Sequence, residues 1–192
     1  MIKPINNWKN QEAEREFIPL PADGYVCKIM GAKVQEYSSC TMLVVSIDIA
    51  EGEFKDYYTN DYRSQTVEDK KWRGNLRLYI PNEDNPGKYE ESTRRKFKSF
   101  TNALEDSNNF TWEWDETKLK GLLLGLVFRN EQWVKDDKSG WKAQPFKCIT
   151  VADARIGNFT VPNDKPLKDA PKSSTAPAGF TAIEDEDDDL PF

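Results

Sequence analysis

The chain has 192 residues, enough for one well-buried core with appendages, and its 38% hydrophobic and 31% charged residues are the proportions of a water-soluble protein. It has no histidine and three widely spaced cysteines (Cys27, Cys40, Cys148), which excludes the common zinc sites and the Ser-His and Cys-His nucleophile pairs. The formal charge of −6 has one origin: the six acids of 184–189 account for all of it and leave 27 residues of each sign in 1–183. No apolar run approaches the roughly 18 residues of a membrane span, and the start MIKPINNWKN lacks the apolar centre of a secretory signal. Odd-numbered, dispersed cysteines fit reduced thiols in a cytoplasm. Carboxylates and lysines remain, but no motif arranges them for catalysis. A non-enzymatic cytoplasmic protein without cofactor or metal is expected.

In chain order, residues 1–22 read as a largely polar arm, with the aromatics Trp8 and Phe17, that closes on the turn signal PLPADG. A strand is expected over 25–34. A second follows over 41–50, where Leu43, Val45, Ile47 and Ile49 alternate with Met42, Val44, Ser46 and Asp48 at the period of a half-buried strand. Residues 51–74 form an aromatic and charged excursion. NLRLYI (75–80) is a third strand, with Leu76, Leu78 and Ile80 on one face and Arg77 and Tyr79 on the other. After the turn cluster PNEDNPG, a helix is expected over 92–108, capped by Ser92 or Thr93, with Phe97, Phe100 and Leu104 at helical spacing. Residues 119–134 and 141–151 read as a strand pair around the turn DDKSG. From 161 the composition turns to Pro, Ala, Ser and Lys, which cannot bury enough surface to fold and reads as a flexible linker to 183.

Three strands, a helix and two more strands is the element order of an OB-fold, a small Greek-key barrel, here over 23–160. The predicted fold is therefore mainly β: a five-stranded OB barrel with one helix between strands three and four and a disordered acidic tail. A generic α+β sandwich is the alternative.

The last nine residues, EDEDDDLPF, pose a question, since a tail that served solubility alone needs no Phe. The ending Asp187, Asp188, Asp189, Leu190, Pro191, Phe192, reached through a Pro/Ser linker from an OB-like body, resembles the tail of bacterial single-stranded DNA-binding proteins. In that family an acidic run closed by a hydrophobic residue, Pro and Phe recruits replication, recombination and repair enzymes. The body, with WRGNLRLYIP, looks more like the small phage-encoded members of that class. The resemblance implies a protein of a bacterial host's cytoplasm that coats single strands and binds partners through 184–192; homo-oligomerisation stays open. The physics agrees: a Phe ring suits an apolar pocket, a carboxylate suits a basic rim, and Pro191 lowers the entropy lost on docking. Six acids steer such a tip toward basic surfaces.

Single strands are held by basic grooves with aromatic platforms. Aromatics are 12% of the chain, and many sit among cations. The expected DNA-binding set is Lys28, Lys33, Tyr57, Tyr58, Trp72, Arg73, Arg77, Tyr79, Trp133 and Lys135. Tyr57 and Tyr58 serve either as platforms or as the roof of the barrel. Trp112 and Trp114 read as packing residues, and Arg94, Arg95, Lys96 and Lys98 as a solvated helix face. Two rival functions stand beside strand binding: a protein-interaction adaptor with an OB-like domain that binds no DNA, and a carboxylate-metal nuclease.

Overall fold

The computed structural model describes residues 3–4, 6, 18–82, 89–135 and 138–167. The whole tip 184–192, and with it Asp187, Asp188, Asp189, Leu190, Pro191 and Phe192, lies outside the described residues, as do Trp8 and Phe17. The elements in order are β1 (Gly24–Glu36), β2 (Thr41–Ile49), α1 (Tyr57–Ser64), β3 (Asn75–Tyr79), α2 (Glu90–Ser107), a 3-10 turn (Glu116–Leu119), β4 (Leu123–Lys135), β5 (Lys138–Ile149) and α3 (Val151–Ile156). The five strands form one antiparallel sheet in the order β3-β2-β1-β4-β5. No helix among the described residues is long and apolar enough to cross a membrane.

The alternation in β2 sets the core. Leu43, Val45, Ile47 and Ile49 are at most 1% exposed and face Cys27 and Ile29 of β1, Leu76 and Leu78 of β3, and Leu124, Leu126 and Phe128 of β4. Each such side chain contributes about 1.5–3 kcal/mol through burial. α2 closes this core with Phe97, Phe100, Ala103 and Leu104.

The closed barrel expected from the element order is not formed: β3 and β5 are the two edges of an open sheet. β3 has only five residues to offer, and α2 packs against β3, β4 and β5. The helix, rather than a backbone ladder, joins the two edges. α2 also starts earlier than expected, at Glu90, with no side-chain cap bond from its N-cap Tyr89. Its first turn carries Glu90 and Glu91 instead, which pair with Arg94 (3.0 Å) and Arg95 one turn on. Acids at a helix start favour the dipole, and these pairs add a few tenths of a kcal/mol.

Two helices were not expected. α1 lies within the excursion, and its start is organised by a distant side chain. The buried carboxylate of Asp48 on β2 accepts the amides of Tyr58 (2.8 Å) and Thr59 (3.1 Å) and the Thr59 hydroxyl (2.5 Å). α3 begins at Val151, the last residue of the strand expected over 141–151, and extends beyond it. Thr150 caps it by accepting the Asp153 amide, and Gly157 ends it at φ 71°, a left-handed value that glycine reaches without strain. Trp112 packs half-buried against the core, edge-on to Phe97, as expected. Trp114 does not: it is 71% exposed at φ 62°, with its ring stacked on Phe97 at 5.9 Å.

The first residues past 160 lie along the outer half of β4. The Lys165 amide donates to the Asn130 carbonyl (2.8 Å), and the Gln132 amide donates to the Lys165 carbonyl (3.0 Å).

Candidate nucleic-acid interface

In antiparallel sheets, residues paired across strands point to one face. The registers therefore fix which residues share the side of β1, β2 and β3 opposite the core. Lys33 pairs with Val44, and Val44 with Arg77; Gln35 pairs with Met42, and Met42 with Tyr79. These make two adjacent rows, Lys33–Val44–Arg77 and Gln35–Met42–Tyr79. One further row toward the other end holds Gly31, Ser46 and Asn75, and the next holds Lys28 opposite Asp48. Lys28, Lys33 and Arg77 are exposed, and Tyr79 is 42% exposed. A β-bulge at Met30, between Ile29 and Gly31, keeps Lys28 and Lys33 on the same face although five residues separate them.

The segment after α1 brings Arg73 to the edge of this face. Gly74 lets the backbone pass close beneath the core: a Cβ there would lie 2.4 Å from the Ile47 carbonyl oxygen and 2.5 Å from the Tyr58 ring. Trp72 is pinned by its indole N–H, which donates to the carbonyls of Gly74 (2.9 Å) and Ile47 (3.2 Å). Its ring leans on Tyr62, whose other neighbour is the Lys70 ammonium, 5.9 Å from the ring centroid. Arg73 itself is held at 3.0 Å by the buried carboxylate of Asp61, which also accepts the Gln65 amide (3.1 Å).

The β4–β5 pair extends beyond the sheet as an arm. One of its faces carries Glu131 opposite Lys142, Trp133 opposite Gly140, and Lys135 opposite Lys138. The Trp133 ring covers Gly140, where an added Cβ would lie 3.0 Å from it, and still leaves 41% of the residue exposed. Glu131 is engaged at 2.7 Å by Arg129, whose guanidinium lies over the Phe146 ring at 4.2 Å. Lys142 lies on this arm, opposite Glu131. Desolvation first, then the charge of Arg73, lower its ammonium pKa; Asp61 opposes them, and Arg77 lowers it further. Lys142 remains solvent-accessible, so this desolvation is the partial kind imposed by a crowded surface.

Of the ten expected residues, Lys33, Arg77 and Tyr79 are brought together, with Lys28 two rows away. Arg73 joins them at the β3 edge, while Trp133 and Lys135 stand on the arm. Tyr58 requires a correction: it is 4% exposed and has no free face for a base. Its ring belongs to the core under Gly74, and burial pushes its hydroxyl well above the ordinary tyrosine range. Tyr57 takes the roof role: it is half-buried and its hydroxyl accepts the Leu20 amide at 3.1 Å. Trp72, packed against the core with its N–H spent, supports the loop more than it faces solvent. Sequence reasoning left Lys142 and Tyr62 out of the set.

No protein-family model matches the chain, and no curated protein matches it either.

Proposed function

We propose that this protein binds single-stranded DNA without strong sequence preference, on the outer face of β1, β2 and β3. The observation that carries the reading is the pair of cross-strand rows, which set two exposed cations and an exposed tyrosine on one continuous surface. A base stacked on Tyr79 gains about 1–3 kcal/mol, and Lys33 and Arg77 neutralise backbone phosphates beside it. We read the open sheet as an OB-type barrel, a fold that is often only partly closed and that binds along its second and third strands. A gap between the third and fifth strands leaves such a barrel in the order β3-β2-β1-β4-β5.

The acidic segment with Asp187, Asp188, Asp189, Leu190, Pro191 and Phe192 completes the proposal. It recruits replication, recombination or repair proteins, its apolar tip filling a pocket and its acids guiding the approach. The body has no catalytic role in this reading.

Titration of the intrinsic tryptophan fluorescence with oligothymidine over a range of salt concentrations tests it. Affinity that falls steeply with salt supports strand binding, because phosphate contacts release counterions. No binding at low salt, with partner capture through 184–192 intact, leaves the adaptor reading in its place.

A further inference from the structure

The end of α1 and the loop after it enclose a concave surface beside Arg73. Asp61, Ser64, Gln65, Thr66, Val67 and Arg73 line a cleft of about 340 Å³. That is the lower end of the range for small-molecule sites, suited to one nucleoside-sized group. The walls are fixed by their own hydrogen bonds. The Gln65 side chain accepts the Lys71 amide (2.9 Å) and donates to the Lys71 carbonyl (2.9 Å) and to Asp61 Oδ2 (3.1 Å), which closes the loop 66–70 at its neck. The Ser64 hydroxyl donates to the Asp61 carbonyl at 2.9 Å. Asp61 Oδ1 accepts Arg73 Nη1 at 3.0 Å, and the carboxylate is 8% exposed against 53% for the guanidinium side chain.

We propose that this cleft takes one cytosine base of a bound strand. The pairing edge of cytosine sets an amino donor beside two acceptors, a ring nitrogen and a carbonyl. The cleft offers the complementary pattern: the Asp61 carboxylate accepts, and the guanidinium N–H groups of Arg73 not used by Asp61 donate. Thymine puts a carbonyl where cytosine has its amino group, so it meets the carboxylate with like polarity. Adenine has the amino group but a single acceptor beside it. The pairing edge of guanine asks for both carboxylate oxygens, and these already serve Arg73 and Gln65. Val67, 57% exposed, supplies an apolar wall. Arg73 stands two residues before β3, at the edge of the face that carries Arg77 and Tyr79, and the strand enters from that edge. The inference rests on the single-strand reading and adds selection at one position of the footprint, the stacking platforms staying indifferent to sequence.

The test is calorimetric titration of the full chain with oligothymidine and with the same oligomer carrying one central deoxycytidine, deoxyadenosine, deoxyguanosine or N4,N4-dimethyldeoxycytidine. Free deoxycytidine and thymidine monophosphates form a second arm. The cytosine oligomer is expected to bind about fivefold tighter than oligothymidine or better, and the other three to show no such gain. Arg73→Lys keeps the charge but loses the fork of donors, and is expected to bring the cytosine-to-thymine affinity ratio to one. Asp61→Asn should lower the ratio as well. Oligothymidine binding with no gain from cytosine, or a gain that survives dimethylation or Arg73→Lys, refutes the cleft and leaves strand binding standing. Binding of free deoxycytidine monophosphate but not of thymidine monophosphate, with no oligothymidine binding at any salt concentration, supports the cleft with the free nucleotide as its source and refutes the single-strand reading. Binding of neither oligomers nor mononucleotides refutes both.

Discussion

Lys33 on β1 and Arg77 on β3 stand on either side of Val44 in one cross-strand row of the sheet's outer face. Neighbouring strands lie about 4.8 Å apart, so the two side chains span the width of three strands and face the same solvent. Val44 between them is 6% exposed, which fits aliphatic stems lying over it with the charged heads free. Tyr79 occupies the next row along the same strand as Arg77.

Substitution of Tyr79 separates function from folding. Tyr79→Ala is expected to weaken oligothymidine binding by about 1–3 kcal/mol with an unchanged melting temperature. Tyr58→Ala is expected to do the reverse, because it empties a core site under Gly74 and costs about 3–5 kcal/mol of stability. Paired titrations and thermal melts of the two variants check this, and equal affinity for wild type and Tyr79→Ala contradicts the assignment.

Charge removal in the Lys33 row has a different signature. Lys33→Gln and Arg77→Gln should each lower affinity alike for all base sequences and flatten the logarithmic salt slope by about 0.7. Reduced affinity at an unchanged slope assigns the residue a structural role instead.

Asp48 is the support for the α1 side of the site. Its carboxylate also accepts the Ile49 amide at 2.9 Å, besides the α1 groups it holds. Asp48→Ala leaves several buried donors without an acceptor, at about 1–3 kcal/mol each, and the melting temperature should fall sharply. Exchange of the α1 amides should rise more than that of β4.

Alkaline pH should unfold the body. Burial raises the thiol of Cys148 from 9.0 to about 12, and burial with the charge of Asp48 raises that of Cys27. Both groups are neutral when protonated, so between the unfolded and folded values the native state holds the extra proton. The Cys148 contribution is complete below pH 9 and is lost as pH rises from 9 toward 12, by up to about 1.4 kcal/mol per pH unit, and the contribution of Cys27 is lost in the same direction. Denaturant melts at pH 8, 9 and 10 measure it, and Cys148→Ala should flatten the decline.

The strands and α2 were legible in the sequence because their signal is local. β2 begins at the expected Thr41, and β3 begins at the expected Asn75, since alternating apolar residues bury one face whatever the neighbours are. α1 was not legible. It buries only Tyr58 and Asp61, and its first turn is held by Asp48, ten residues earlier on another element. α3 did carry a signal, TVADARIG, with a Thr cap, an Asp three residues on and a closing Gly. Only its first residue, Val151, falls in the strand expected over 141–151, and 152–156 had no expected element. Arg77 and Tyr79 followed from period two. The burial of Tyr58 depends on Gly74, which brings the backbone onto its ring.

Ultraviolet cross-linking of oligothymidine to the full chain, with the attached peptides mapped by mass spectrometry, tests the central claim most directly. The account predicts adducts on the peptide that contains Arg77 and Tyr79, lost in Tyr79→Ala and suppressed by high salt. Adducts confined to other surfaces, such as the exposed Trp114 beside α2, contradict it.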